Sequence, residues 1–495
     1  MALEPGKSRQ FLAAIIVNLS AILHGMNIGW SSPTMPRLQS EQTPVGDEPL
    51  SDYQVSWLNS IVYIASLFVL PICNYVSEKY GRKMVGYLVT IPLITCWILI
   101  FFATNFWHLF IARFCAGFGG TTSLFLTPIY VSEISGDSIR GKLGSIFMFS
   151  LKLGILLGYI IGAVLSYHLY ALCALAVCFT FFVCFNILPE TPIYLIRNKK
   201  IAEGTKSLKW LKNGDGTVVE RELSRLQIFV EKHCNAENSV SLKDLFRDKG
   251  TIKAFIIALT LLCGQQSCGI MIVLAYTAMI FQMAGSSLQP NICAIIIGLI
   301  QIFSCWLSTL LMERVGRKTL ISISCIGIIT CNCILGVFFY LKFNLYDVSS
   351  VSWIPLIALS VFSITYCLGM GPVPFVVISE IFSSDISALA TSVVMIFMAL
   401  IGFIAMTTFP FFVDLVGLHG TFIISAVACL FTFIIIICIL PETKGRSLQS
   451  IIYELNDTPE KLGVNTSIET SIQKIKTSKP KKLANRLSVK KKEIQ

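Results

Sequence analysis

The sequence predicts an all-α membrane protein with twelve transmembrane helices, divided into two related halves of six helices each. Three observations support this fold class. Hydrophobic residues make up 54% and charged residues 14% of the 495 residues, with a mean hydropathy of +0.73, and a soluble protein of this length cannot bury so much apolar surface. Twelve apolar runs have about the 20 residues needed to cross a bilayer. Short motifs of the first half also return in the second half.

The twelve apolar runs form two groups of six, separated by a long polar segment. They span residues 11–31, 54–76, 84–103, 106–131, 143–166 and 169–188, and then 253–283, 288–312, 319–341, 352–379, 388–413 and 420–440. The first run differs from a secretory signal because it contains Asn18, His24 and Asn27 and lacks a convincing small-residue cleavage site. We therefore predict that it is the first membrane helix.

Basic residues gather in particular connecting segments. Segments 77–83, 197–253, 313–318 and 444–495 are basic, whereas the segment 32–52 is mainly acidic. Under the positive-inside rule, both termini and the central polar segment are cytoplasmic. The net charge of +11 therefore indicates the topology of a multi-pass plasma-membrane protein rather than a nucleic-acid partner.

These boundaries divide the chain into four parts. The two six-helix halves are expected at 1–190 and 253–441. Between them, 191–252 carries apolar residues at helical spacing, which predicts a cytoplasmic linker with short amphipathic helices. The remainder, 442–495, is expected to be a basic cytoplasmic tail.

The cysteines and the remaining polar residues do not indicate an enzyme. The 17 cysteines lie mostly singly within the apolar runs, without metal-ligand spacing or a disulfide framework. No nucleotide-binding loop, metal cluster or catalytic triad has the required context. We therefore predict no enzyme activity, no cofactor and no metal, and the sequence does not indicate an oligomeric state.

Three motifs of the first half return in the same order in the second half. The pairs are Glu78-x-x-Gly81-Arg82-Lys83 with Glu313-x-x-Gly316-Arg317-Lys318, Pro128-Ile129-Tyr130-Val131-Ser132-Glu133 with Pro374-Phe375-Val376-Val377-Ile378-Ser379-Glu380, and Pro189-Glu190-Thr191-Pro192 with Pro441-Glu442-Thr443-Lys444. Such a repeat indicates a parallel duplication of six helices. A substrate site is then expected between the halves, near the middle of the bilayer.

Two adjacent amides, Gln265 and Gln266, lie inside the seventh apolar run. Amides are costly in a membrane helix unless they face protein or water, because lipid offers no hydrogen-bond partner. Amides are neutral donors and acceptors, which suit an uncharged ligand with many hydroxyl groups. The stretch therefore predicts a polar cavity inside the membrane.

On these motifs the chain resembles the sugar porter family of the major facilitator superfamily. It is most similar to insect facilitated trehalose transporters and, more distantly, to facilitative glucose transporters. The likeness runs from the first helix to Gly445 and includes Trp30-Ser31-Ser32-Pro33. The resemblance implies two halves related by a pseudo-two-fold axis. It also implies alternating-access transport of a sugar, trehalose or a hexose, with the lipid bilayer as the other partner.

The resemblance also implies which residues contact the substrate, although several positions depart from the family pattern. Gln265, Gln266 and Gln301 match amides that bind sugar hydroxyls, whereas Met271 and Met398 stand where the family has asparagines, and Ala399 and Phe375 where it has tryptophans. Tyr276 completes the expected set together with Lys152. Asn27 occupies the place of the aspartate that proton-coupled members carry, so transport without proton coupling is expected. Lys152 and His24 leave proton coupling open as an alternative.

Lys152 departs most from the family, which has a glutamine at this position of the fifth helix. It lies away from the small-residue stripe of Gly154, Gly158 and Gly162, which is expected to pack against another helix. A cation facing lipid at mid-depth is costly, so we predict that Lys152 faces the cavity. Lys152 therefore leaves open a carrier of another polyol or an anionic solute. The methionines that replace expected amides also leave open a non-transporting nutrient receptor.

The resemblance further implies a charged gate at the cytoplasmic face and a hinge in the tenth helix. The gate residues are Glu78, Arg82, Lys83, Glu133, Arg140, Glu190, Glu313, Arg317, Lys318, Glu380 and Glu442. Ion pairs at a wet rim are individually weak, so they can break and form in each cycle. The expected hinge is Gly371, Pro372 and Pro374, because prolines remove backbone donors and kink a helix.

Overall fold

The computed structural model describes residues 7–136, 139–213, 216–234, 245–246, 248–286, 288–382, 384–446 and 448–456. Within these ranges, eleven helical segments are long and apolar enough to cross a membrane, and the last, Leu389–Ile439, has 51 residues. At about 1.5 Å per residue this segment is roughly twice as long as one crossing needs. Gly417 interrupts it with a φ of 73°. It therefore contains two membrane helices, and the predicted twelve-helix fold is confirmed.

The twelve membrane helices, labelled α1 to α12, follow the predicted apolar runs. The first half contains α1 (Lys7–Leu38), α2 (Asp52–Tyr80), α3 (Arg82–Phe101), α4 (Phe106–Ile134), α5 (Arg140–Val164) and α6 (Tyr167–Ile187). The second half contains α7 (Lys249–Ser267 and Ile270–Ala284), α8 (Pro290–Val315), α9 (Arg317–Phe343), α10 (Ile354–Leu368 and Val373–Ile381), and α11 with α12 (together Ser384–Ile439, divided at Gly417).

Local sequence determines where several helices begin and turn. At the start of α2, the Ser51 side chain accepts a hydrogen bond from the backbone N–H of Gln54, and the Gln54 side chain accepts one from the backbone N–H of Ser51. This reciprocal cap satisfies two donors that the helix itself cannot pair. Gly81 and Gly316 join α2 to α3 and α8 to α9 with φ values of 97° and 102°. Only glycine adopts that conformation without strain, so both tight turns depend on it.

Within the first half, α1 and α5 approach closely along the predicted glycine stripe. A Cβ atom added to Gly154 would lie 2.2 Å from the carbonyl oxygen of Ile22, and one added to Gly25 would lie 2.2 Å from that of Leu151. Neither position has room for a larger side chain. The stripe therefore packs against α1, as predicted. The two halves meet where α1 contacts α7, α2 contacts α11 and α5 contacts α8.

One end of the bundle carries the basic turns at Gly81 and Gly316, and we call it the basic end. Three short helices of the central segment lie there: Pro192–Arg197, Ile201–Leu211 and Gly216–Cys234. The guanidinium of Arg9, near the start of α1, donates a 3.0 Å hydrogen bond to the carbonyl of Trp210. The last helix within the described residues, Leu448–Leu455, packs against α7 at the same end. Most of the predicted basic tail, 457–495, lies outside the described residues.

Candidate functional site

A cavity of about 1120 Å³ lies between the two halves. Helices α1, α2 and α4 form one wall, and α7 and α11 form the other. The lining extends from Gln266 in the interior to Asn74 and Glu78 in the last turns of α2. Because those turns are at the basic end, the cavity opens toward that end.

Hydrogen bonds between the halves seal the opposite end. The Ser56 hydroxyl of α2 donates to the carbonyl oxygen of Met406 in α11 at 2.9 Å. The backbone N–H of Ala278 in α7 donates to the Ser32 hydroxyl of α1 at 3.0 Å. Each bond joins a helix of one half to a helix of the other. The cavity is therefore accessible from the basic end in this conformation.

Two amide side chains in the cavity wall have unsatisfied polar atoms. Gln266 is 4% exposed and Asn59 is 4% exposed. The Oε1 atom of Gln266 and both amide atoms of Asn59 have no hydrogen-bond partner in the described part of the chain. Leaving buried amide atoms unpaired is costly. Both side chains are thus suited to binding a neutral solute with hydroxyl groups.

Gln265 has a different environment from its neighbour. Its Nε2 atom donates 2.9 Å hydrogen bonds to the carbonyl oxygens of Met370 and Gly371. These carbonyls lie in the interruption of α10, which covers residues 369–372 and includes part of the predicted hinge, Gly371 and Pro372. Pro374 lies in the first turn of the following helical piece. Gln265 therefore connects α7 to the break in α10 and is not among the residues that line the cavity.

The structure separates the other predicted substrate contacts into two groups. Met271, Met398 and Ala399 line the cavity. Tyr276 packs against Phe409 near the sealed end, with ring centroids 4.7 Å apart, and Phe375 is half-buried in the core of the second half. Neither aromatic side chain is part of the cavity wall in this conformation.

Lys152 and Gln301, also predicted to bind substrate, contact each other. The Nζ atom of Lys152 donates a 3.1 Å hydrogen bond to Oε1 of Gln301, between α5 and α8. The same Nζ lies 5.6 Å from the centre of the Tyr366 ring, a distance suited to a cation–π contact. Neither Lys152 nor Gln301 is among the residues that line the cavity.

Arg113 is a buried cation in the cavity wall. Its guanidinium donates to the carbonyl oxygens of Asn27 (3.0 Å) and Leu58 (3.2 Å) and to the Ser31 hydroxyl (3.2 Å). It also lies 5.2 Å from the ring centre of Trp30. These contacts spread its charge over backbone dipoles, so Arg113 connects α4 to α1 and α2.

The predicted gate residues of the first half hold the turn between α2 and α3. Arg82 forms an ion pair with Glu133 at 2.8 Å and a longer one with Glu78 at 3.7 Å. Glu190 accepts hydrogen bonds from the backbone N–H groups of Arg82 and Lys83. Burial raises the pKa of the Glu190 carboxyl, and these N–H bonds oppose the rise.

The second half repeats this arrangement around the turn between α8 and α9. Arg317 forms an ion pair with Glu380 at 2.9 Å. Glu442 accepts hydrogen bonds from the backbone N–H groups of Arg317 and Lys318, at 2.9 and 3.1 Å. In both halves these ion pairs join helices of the same half.

Of the remaining predicted gate residues, Arg140 is exposed at the start of α5, and the side chain of Glu313 lies outside the described residues.

Three features are those of a transporter family: the repeated ion-pair clusters, the cavity between two six-helix halves, and the three paired motifs. The sequence profile described as "Sugar (and other) transporter" matches residues 12–455. The chain belongs to the sugar transporter family. Membership places it among membrane transporters, which are not enzymes.

Individual relatives within the sugar transporter family agree with this assignment. A facilitated trehalose transporter from Bombyx mori is 32% identical over 443 residues, which cover 89% of this chain and 86% of the relative. A trehalose transporter homologue from Drosophila simulans is 33% identical over 444 residues, covering 89% and 90% of the two chains.

Solved structures confirm the fold of the major facilitator superfamily. The inward-open xylose transporter XylE from E. coli has a TM-score of 0.73 at 20% identity and covers 89% of this chain and 99% of its own. The XylE proton:xylose symporter bound to 6-bromo-6-deoxy-D-glucose has a TM-score of 0.71 at 20% identity, covering 90% and 99%.

Sequence reasoning missed Asn59 as a cavity residue. Its signal was present, because an uncharged amide inside the apolar run 54–76 meets the same criterion that singled out Gln265 and Gln266. It also missed the break in α7 between Ser267 and Ile270, where Gly269 has a φ of 91°.

Proposed function

We propose that this protein carries a sugar, trehalose or a hexose, across the membrane by facilitated transport with alternating access. The observation that carries the proposal is the cavity between the halves, open at the basic end and sealed by hydrogen bonds such as Ser56 to Met406 at the other. Transport requires the halves to rock about α1–α7, α2–α11 and α5–α8, which breaks this seal and closes the basic end. The facilitated trehalose transporters among the relatives support the substrate class.

The polar atoms in the cavity favour an uncharged solute. Gln266 and Asn59 present unpaired amide atoms, which match hydroxyl groups. The cation in the wall, Arg113, already donates to two backbone carbonyls and a hydroxyl. Lys152, on which an anion carrier would depend, binds Gln301 instead. A neutral sugar therefore fits this site better than an anion does.

The interior of α1 supports transport that is not coupled to protons. Asn27 is 4% exposed, and its Nδ2 atom donates a 3.1 Å hydrogen bond to the carbonyl oxygen of Leu23. An amide does not titrate, so this position cannot bind and release a proton in each cycle. Uniport is the expected mode.

The charge distribution supports an orientation in the plasma membrane in which the basic end faces the cytoplasm. Positively charged connections are retained on the cytoplasmic side, and the turns at Arg82 and Arg317 share this end with the central helices. An epitope tag at the C-terminus should be detected in expressing cells only after permeabilisation. Detection in intact cells would reverse the orientation.

Uptake by oocytes tests the function itself. Radiolabelled trehalose, glucose and an organic anion are compared in wild type and Gln266→Ala. The matched control is Ser360→Ala, since the Ser360 hydroxyl donates within its own helix to Leu356. We expect saturable sugar uptake that is weakened in Gln266→Ala and unchanged in Ser360→Ala. Surface protein that carries none of these solutes would favour a receptor, and uptake of the anion alone would favour an anion carrier.

A further inference from the structure

The wall of the second half contains an apolar patch. It consists of Met271, Ala275, Met395, Met398, Ala399 and Met406, four of them methionines, and we call it the methionine patch. Toward the basic end the same wall continues with Ser387, Leu389, Thr391 and Ser392. The wall of the first half includes the polar groups of Ser31, Asn59 and Arg113. The cavity therefore combines polar groups with an apolar patch.

A free sugar matches the methionine patch only with the C–H faces of its rings. Hydroxyl groups that face the patch would lose water without gaining a protein partner. Methionine side chains are flexible and polarizable, and they adapt their shape to apolar ligands. A sugar that also carries an apolar group matches both the amides and the patch.

We propose that the cavity selects a neutral amphipathic sugar derivative, a glycoside with an apolar aglycone. Its sugar hydroxyl groups bind the amides of Asn59 and Gln266, and its aglycone lies against Met271, Met395 and Met398. The volume of about 1120 Å³ is sufficient, because pockets for small organic ligands usually measure about 300–1,000 Å³. This inference rests on the proposed sugar transport and names the substrate class of the same site.

The experiment compares radiolabelled methyl β-glucoside and phenyl β-glucoside in oocytes, with trehalose and glucose measured in parallel. Uptake by water-injected oocytes is subtracted, so that passive entry of the phenyl compound does not contribute. We expect a KM about tenfold lower for the phenyl than for the methyl glucoside, since partial burial of the ring is sufficient for such a difference. Equal KM values, or a preference for the methyl glucoside, would overturn the inference.

Substitutions in the methionine patch provide a second readout. Met398→Asn and Met271→Asn introduce amides and should move the KM ratio of the two glucosides toward one. Met398→Leu is the matched control, because it keeps an apolar side chain of similar volume and should leave the ratio unchanged. The wild-type comparison decides the question even where an asparagine variant fails to reach the surface.

The outcomes distinguish this inference from the proposed function. Transport of trehalose or glucose without any preference for the phenyl glucoside removes the amphipathic substrate and leaves sugar transport intact. Surface-expressed protein that carries neither free sugars nor glucosides contradicts both. Uptake of the phenyl glucoside supports both, provided that Met398→Asn moves the KM ratio of the two glucosides toward one.

Discussion

Lys152 Nζ donates a 3.1 Å hydrogen bond to Gln301 Oε1, and this bond links α5 of the first half to α8 of the second. Gln301 is 1% exposed, and its Nε2 atom has no partner in the described part of the chain. The face of the Tyr366 ring provides a further contact for the cation. A lysine of the first half that would be costly in lipid is thus accommodated by groups of the second half.

We expect Gln301→Leu to destabilise the protein by about 1–3 kcal/mol, because it removes the acceptor of a charged donor inside the membrane. The double variant Lys152→Met/Gln301→Leu removes donor and acceptor together and should regain most of that loss. The measurement is the apparent melting temperature of the purified protein in detergent. A double variant as unstable as Gln301→Leu would show that the bond contributes little.

The two adjacent amides of α7 are expected to respond differently to substitution. Gln266→Ala removes a side chain of the cavity wall and should raise the KM for sugar about fivefold, the effect of one neutral hydrogen bond. Gln265→Ala deprives the carbonyls of Met370 and Gly371 of their donor. It should lower the melting temperature and Vmax more than it changes KM. Kinetic and melting measurements on the same preparations separate the two effects, and identical behaviour would contradict the assignment.

The twelve helices and the paired motifs were predictable because they depend on local sequence. Apolar runs of membrane length and the glycines at 81 and 316 determine helices and turns by themselves. The side chains that face the cavity depend on packing between helices. Gln265 and Gln266 are neighbours in sequence and point about 100° apart on a helix, so composition does not distinguish them. Likewise the partner of Lys152 comes from the other half of the chain.

The seal at the end opposite the basic turns gives a prediction about conformational balance. The buried Ser56 hydroxyl lies 2.9 Å from the carbonyl oxygen of Met406 and 3.1 Å from that of Thr407. Ser56→Ala removes this hydrogen bond and so destabilises the conformation that is open at the basic end by about 1 kcal/mol. The population of that conformation relative to the alternative should fall about fivefold.

Alkylation of a cysteine in the cavity mouth measures this change. Asn74→Cys places a thiol on the lining near the basic end, and labelling of the parent chain without Asn74→Cys gives the background from native cysteines. We expect slower labelling when Ser56→Ala is added. The matched control, Ser322→Ala, removes a hydroxyl that bonds within its own helix to Lys318. Equal labelling with and without Ser56→Ala would show that the seal does not set the balance.

Glu190 should give the protein a pH-dependent stability. Its carboxylate accepts backbone N–H bonds from Arg82, Lys83 and Thr191, yet burial raises its pKa above the usual value. The folded protein therefore favours the protonated carboxyl. This preference adds to the free energy of unfolding. The contribution is fully present below the unfolded pKa of about 4.3 and is lost as the pH rises through the higher folded pKa.

Glu190→Gln stays neutral at every pH, so its melting temperature should vary less than that of wild type between about pH 4 and pH 7. Glu190→Ala should be less stable than Glu190→Gln throughout, because it leaves the N–H groups of Arg82 and Lys83 without their acceptor. The control is Glu203→Gln, which changes an exposed glutamate of Ile201–Leu211 and should leave the profile unaltered. If wild type and Glu190→Gln gave parallel profiles of melting temperature against pH, Glu190 would be ionised as readily in the folded protein as in the unfolded chain. A permanent charge would then hold the turn between α2 and α3.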